Sequence, residues 1–239
     1  MKLFNKQRFA LVNTSDFKKY LKYAFGEIVL VVIGILIAVS INNWNQHRKL
    51  QSANTELRMN VIKQLDKEIA FISSYQKELD TMQKNYMRYL QQFNKSEPTI
   101  SGEVLGSLLF QLNTLDADSQ VITMIDNAAL NQSKASELLL NLSSNYKDYV
   151  EEMKSIERLI FTTITENLKE IERTQDWYVD FVTSLDCEDE CMYYFFNDKR
   201  HRARIASLRF LYMNSYGGLV STLKSDLIDY RKDLKAVKE

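Results

Sequence analysis

The densest chemical signal in the chain is Asp186-Cys187-Glu188-Asp189-Glu190-Cys191, two sulfurs and four carboxylates in six residues. Cysteines four apart can close a tight disulfide loop, provided the compartment is oxidising. In a reducing compartment the same cluster, joined by His201, would offer thiolates and carboxylates to a metal. Zinc, however, takes four fixed N or S ligands, and this set is incomplete. Redox compartment decides between the two readings. A Cys187–Cys191 disulfide leads if the region lies outside the cytoplasm, and no metal or cofactor is expected. Directly afterwards comes a basic run, Lys199-Arg200-His201-Arg202 with Arg204. It could touch headgroups or nucleic acid. The plainer reading is a solvated helix start, or a partner for the acids before it.

Other chemistry is missing. The sequence holds no phosphate-cradling G-x-x-x-x-G-K-[ST], no G-x-S-x-G, no H-E-x-x-H and no G-x-G-x-x-G. With His 2 in total, one of them His47, a Ser-His-Asp arrangement is a poor wager. We expect no enzyme. Thirty-one Lys+Arg balance 31 Asp+Glu, so a general nucleic-acid binder, which needs a basic excess, is not expected either. Gly 6 and Pro 1 in 239 residues leave few turns, which favours long helices over a many-stranded sandwich.

One acid sits in unusual company. Glu27 opens a run from Ile28 to Ile41 that is apolar except for Gly34 and Ser40. Tyr23 to Trp44 covers about 32 Å at the helical rise, enough to cross a bilayer. We read residues 23–44 as a transmembrane helix. Tyr20, Tyr23 and Trp44 stand where aromatic residues anchor at the interface, and Lys18, Lys19 and Lys22 flank them. These lysines, with Phe17, Tyr20, Leu21 and Ala24 on the opposite side, could form a short amphipathic turn on anionic headgroups, or simply fix topology. A cleaved signal peptide is the rival reading, since Ala38-Val39-Ser40 looks like a cleavage site; the long charged region before it, ending in Glu27, argues against cleavage.

At 100° per residue, Glu27, Val31, Gly34, Ala38, Ile41 and Asn45 form one stripe. Gly34 and Ala38 are a small-xxx-small pair that lets helices approach closely. An intramembrane acid can join helix–helix association, line an ion path or snorkel to the interface. The basic N-terminal flank predicts that residues 1–22 are a cytoplasmic tail. Residues 45–239 then form an extracytoplasmic domain, periplasmic if the cell is Gram-negative.

Beyond the span, Leu57, Val61, Leu65, Ile69, Ile72, Leu79, Met82, Tyr86 and Phe93 recur at mostly three- and four-residue steps. The segment from Gln51 to Phe93 would be about 64 Å long as a helix. Pro98 marks the first break. Two short helices are expected near 101–112 and 118–130. A long helix is expected from Ser133 to Ile171, and a last one from Ile205 to Val237, interrupted or tightly packed at Gly217-Gly218. The fold class is all-α: one N-terminal transmembrane helix, then a long-helix bundle. The near-heptad steps also allow coiled-coil packing against another chain.

Residues 19–38, KYLKYAFGEIVLVVIGILIA, followed by INNWN at 41–45, resemble a family of uncharacterised single-pass membrane proteins common in Bacteroidota, with a domain of unknown function. Members often carry a Ser/Gly-Asn-Leu element mid-chain; the counterpart here is Ile125-Asp126-Asn127-Ala128-Ala129-Leu130, without the Gly. The resemblance implies an inner-membrane anchor and a helical domain. It brings no activity.

The expected partners are the lipid bilayer and either a second copy or another membrane protein. The expected role is a membrane-anchored scaffold or accessory subunit of the envelope. The alternatives are an extracytoplasmic sensor with a separate signalling partner, or a subunit of an ion-driven complex using Glu27.

Overall fold

In the computed structural model of the chain, the residues described are 15–93, 100, 102–116, 120–184 and 186–237. Side chains are described from residue 21 onward, and not at 102 and 103. The expected break at Pro98 and the tail before residue 15 lie outside them. Every regular element among the described residues is a helix, and no strand occurs.

Helix α1 runs Ser15–Gln91. Between Gly34 and Pro98 the sequence offers neither glycine nor proline, so nothing interrupts the backbone ladder. Short helices α2 (Gly102–Phe110) and α3 (Gln120–Asp126) follow, each shorter than the sequence suggests. The long helix α4 spans Lys134–Thr174. Ser133 caps it, its hydroxyl accepting from the Ser136 N–H at 3.2 Å. Then come α5 (Tyr178–Ser184) and α6 (Asp189–Asn197), neither of which the periodicity resolves. The last stretch is α7 (Lys199–Phe210), a π-helical segment Leu211–Tyr216 and α8 (Gly217–Ala236).

The chain divides into two units, Met1–Ala53 and Asn54–Glu239. In the first, the described residues are helical, and apolar side chains from Ile28 to Ile41 stand exposed. In the second, three long stripes converge. Val61, Leu65, Ile72, Leu79 and Tyr86 come from α1, Leu139, Leu142, Tyr146, Met153 and Ile160 from α4, and Ile205, Leu208, Tyr212, Tyr216 and Val220 from the last stretch. All are buried, and at ~1.5–3 kcal/mol per large apolar side chain they supply the main force holding this unit together.

The π-helical segment has a readable cause. Leu208, Tyr212, Tyr216 and Val220 are buried at three consecutive four-residue steps. In an α-helix each such step drifts about 40° around the axis, and three would carry the stripe off the core. A wider turn absorbs the drift and keeps both tyrosines inside. Their hydroxyls are used. Tyr212 donates to the Gln111 carbonyl at 3.2 Å, and Tyr216 donates to Glu157 at 2.7 Å. Tyr216 also accepts from the Leu115 N–H at 2.9 Å. Tyr75 donates to the Asn113 carbonyl at 2.9 Å. Tyrosine hydroxyls thus give partners to backbone groups of Gln111, Asn113 and Leu115, in a segment that forms no regular structure.

Candidate functional site

Two regions carry the residues singled out by sequence. The first is the apolar part of α1. One helix among the described residues is long and apolar enough to cross a membrane, and none of its apolar window is buried in protein. Glu27, Val31, Gly34, Ala38 and Ile41 are exposed, and Asn45 is half-buried. Apart from the backbone of its own helical turns and its chain neighbours, nothing lies within 4 Å of where a Cβ on Gly34 would stand. Tyr23 and Trp44 are exposed, and the Arg48 guanidinium sits 5.4 Å from the Trp44 ring centre. The side chains of Lys18, Lys19 and Tyr20 lie outside the described set.

The second region is one end of the helical bundle. Cys187 and Cys191 are joined by a disulfide, with Cα atoms 5.3 Å apart. No group of three or more His, Cys, Asp or Glu among the described residues could hold a metal ion. His201, which the metal reading recruited, is fully buried inside an aromatic cluster. Its ring centre lies 5.1 Å from Phe195, 5.2 Å from Tyr194 and 6.2 Å from Tyr89. Trp177 and Phe181 also pack on Phe195, at 5.3 and 5.1 Å.

A hydrogen-bond chain fixes the histidine tautomer. The Tyr89 hydroxyl donates to the Phe195 carbonyl at 2.6 Å. Its oxygen therefore accepts from His201 Nε2–H at 2.9 Å. Nδ1 is left unprotonated, buried and without a hydrogen-bond partner. Burial, with the Arg204 guanidinium nearby, holds His201 neutral and pushes its pKa down to about 3. Burial raises the Tyr89 pKa well above the usual tyrosine value.

The basic run is thus not one solvated face. Lys199, Arg200 and Arg202 are exposed, while His201 is core. Arg202 lies over the Phe93 ring at 5.0 Å, and Arg204 donates to the Tyr194 hydroxyl at 2.8 Å. Asp198 joins the helices: its N–H bonds the Tyr194 carbonyl at the end of α6, and its carboxylate accepts from the His201 N–H at 2.6 Å at the start of α7. Beside this junction opens a cleft of about 990 Å³, lined by Asp189, Glu190, Tyr193 and Tyr194 together with Lys199 and Arg200.

Two buried polar features escaped the sequence reading. Tyr146 on α4 donates to Glu68 on α1, an acid only 3% exposed. Asn54 reaches the turn before α4, donating to the Ala129 carbonyl at 2.9 Å and accepting from the Asn131 N–H at 3.2 Å. The available signal was position: Glu68 falls one residue before Ile69, on the edge of the apolar stripe.

No curated protein and no solved structure matches the chain. The model of a family of unknown function, DUF6090, matches residues 27–100, which begin at Glu27 and take in the remainder of α1.

Proposed function

We propose that the protein is a single-pass membrane-anchored scaffold or accessory subunit of the bacterial envelope. In this reading residues 23–44 are the anchor and the helical bundle is the interaction domain. The carrying observation is the contrast within α1. Apolar side chains from Ile28 to Ile41 find no protein cover, whereas the stripe Val61, Leu65, Ile72, Leu79, Tyr86 and Phe93 is buried. An apolar surface of that length is stable only in a medium as apolar as itself. The basic flank before Tyr23 supports a cytoplasmic N-terminus in the inner membrane and a periplasmic bundle. The resemblance of residues 19–45 to the Bacteroidota family supports the same envelope setting.

Gly34 and Ala38 supply the surface for association with a second copy or another membrane protein. The test is in-cell photocrosslinking from positions 31, 34, 38 and 41, compared with 32 and 36 on the other faces. Crosslinks concentrated on the stripe are expected. Equal yields around the helix would remove the stripe from the reading, and alkaline extraction of the chain into the soluble fraction would remove the anchor.

A further inference from the structure

We propose that the Cys187–Cys191 disulfide is a redox-sensitive latch that holds the first turn of α6, and with it the acidic wall of the neighbouring cleft.

Apart from the buried Cys191 side chain, the first turn of α6 has little else to hold it. Its N-cap residue, Glu188, makes no side-chain capping bond, unlike Ser133 on α4 and Asp198 on α7. Asp189 has φ 28°, the one positive value on a non-glycine residue among the described residues. Such a backbone persists only where its surroundings over-determine it. Glu188, Asp189 and Glu190 are all exposed, so no packing holds their side chains. The second half of α6 is tied down differently. Phe195 and Phe196 are buried, Tyr89 bonds the Phe195 carbonyl, and Asp198 closes the helix end. Opening the disulfide therefore frees one end of a helix whose other end stays docked.

The chemistry is thiol–disulfide exchange with a dithiol reductant. Cys187 is half-buried and Cys191 only 2% exposed, so the reductant's thiolate attacks Cys187 Sγ. The S–S bond breaks and its electron pair leaves on Cys191 Sγ, which lies in the first turn of α6, where helix N–H groups favour a thiolate. The reductant's second thiol then attacks the mixed disulfide and releases Cys187. The reductant ends as a disulfide, the protein gains two electrons and two protons, and both cysteines become thiols. Asp189, Glu190, Tyr193 and Tyr194 line the cleft from α6, so release of the first turn changes the lining that the cleft shares with Lys199 and Arg200.

Hydrogen exchange tests this on the full chain in detergent micelles, oxidised, reduced with dithiothreitol and alkylated, and as the Cys187→Ser/Cys191→Ser double variant. Reduction and the double variant should both raise exchange at 186–193 by roughly tenfold or more, leaving the Leu139–Ile164 core of α4 unchanged. Unchanged exchange at 186–193 would overturn the latch. So would loss of protection throughout α4, which would make the bond a global staple. The double variant separates the effect of the bond from that of the alkylating groups.

Discussion

A Cβ placed on Gly217 would stand 3.1 Å from the carbonyl oxygen of Tyr212, the same oxygen that accepts the Gly217 N–H at the close of the π-helical segment. The neighbouring Gly218 has open space at the equivalent point. The pair should separate in a thermal melt. Gly217→Ala forces Tyr212 to shift and costs about 1–3 kcal/mol. Gly218→Ala removes helix-interior glycine entropy and gains about 0.5–1 kcal/mol. Equal effects would contradict the close approach.

The buried histidine predicts a pH signature. Unfolded, His201 takes up its proton near pH 6.5; folded, it does so near 3. The folded pKa is depressed, so its stabilising contribution is present above pH 6.5 and is lost as pH falls toward 3. The unfolding free energy should drop by up to about 1.4 kcal/mol per pH unit across that window. His201→Gln keeps a donor toward Tyr89 without the titration. The difference between wild type and variant, followed by denaturant unfolding from pH 7 to 4, should carry this slope. Parallel curves would remove the neutral buried histidine from the account.

Asn54 presents both halves of its amide to the turn before α4. Asn54→Asp keeps the acceptor for Asn131 but sets a carboxylate oxygen against the Ala129 carbonyl. It should cost about 1–3 kcal/mol, more than a surface exchange of the same kind. Denaturant midpoints of Asn54→Asp and of the exposed control Asn141→Asp check this, the control shifting by no more than about 0.5 kcal/mol.

Tyr146→Phe removes one hydrogen bond from the buried carboxyl of Glu68. A loss of about 1–3 kcal/mol is expected. The double variant with Glu68→Gln should lose less than the sum of the single changes, because the two groups share one interaction.

The long elements were legible because burial repeats along them: α1, α4 and the last stretch each present apolar residues every three or four positions. The all-α class followed from that pattern and from the shortage of glycine and proline. Helices α5 and α6 were not legible. Phe195 and Phe196 are adjacent yet both buried, which no three- or four-residue step predicts. The π-helical segment left a trace, the run of four-residue steps from Leu208 to Val220, but Gly217-Gly218 drew attention to a break instead. His201 was misplaced by its neighbours. Between Arg200 and Arg202 it reads as part of a charged face, and only the packing of α6 and α1 around α7 carries it inside. The polar pairs Glu68–Tyr146 and Asn54–Asn131 join residues more than seventy positions apart, a relation no local pattern encodes.

In the proposed topology, residues 23–44 anchor the chain and the bundle lies on the far side of the membrane. Reporter fusions at Glu239 test it most directly, one with alkaline phosphatase and one with a fluorescent protein that matures only in the cytoplasm. An active phosphatase and a dark fluorescent fusion are expected, both in the membrane fraction. A bright fluorescent fusion with inactive phosphatase would put the bundle in the cytoplasm and contradict the account.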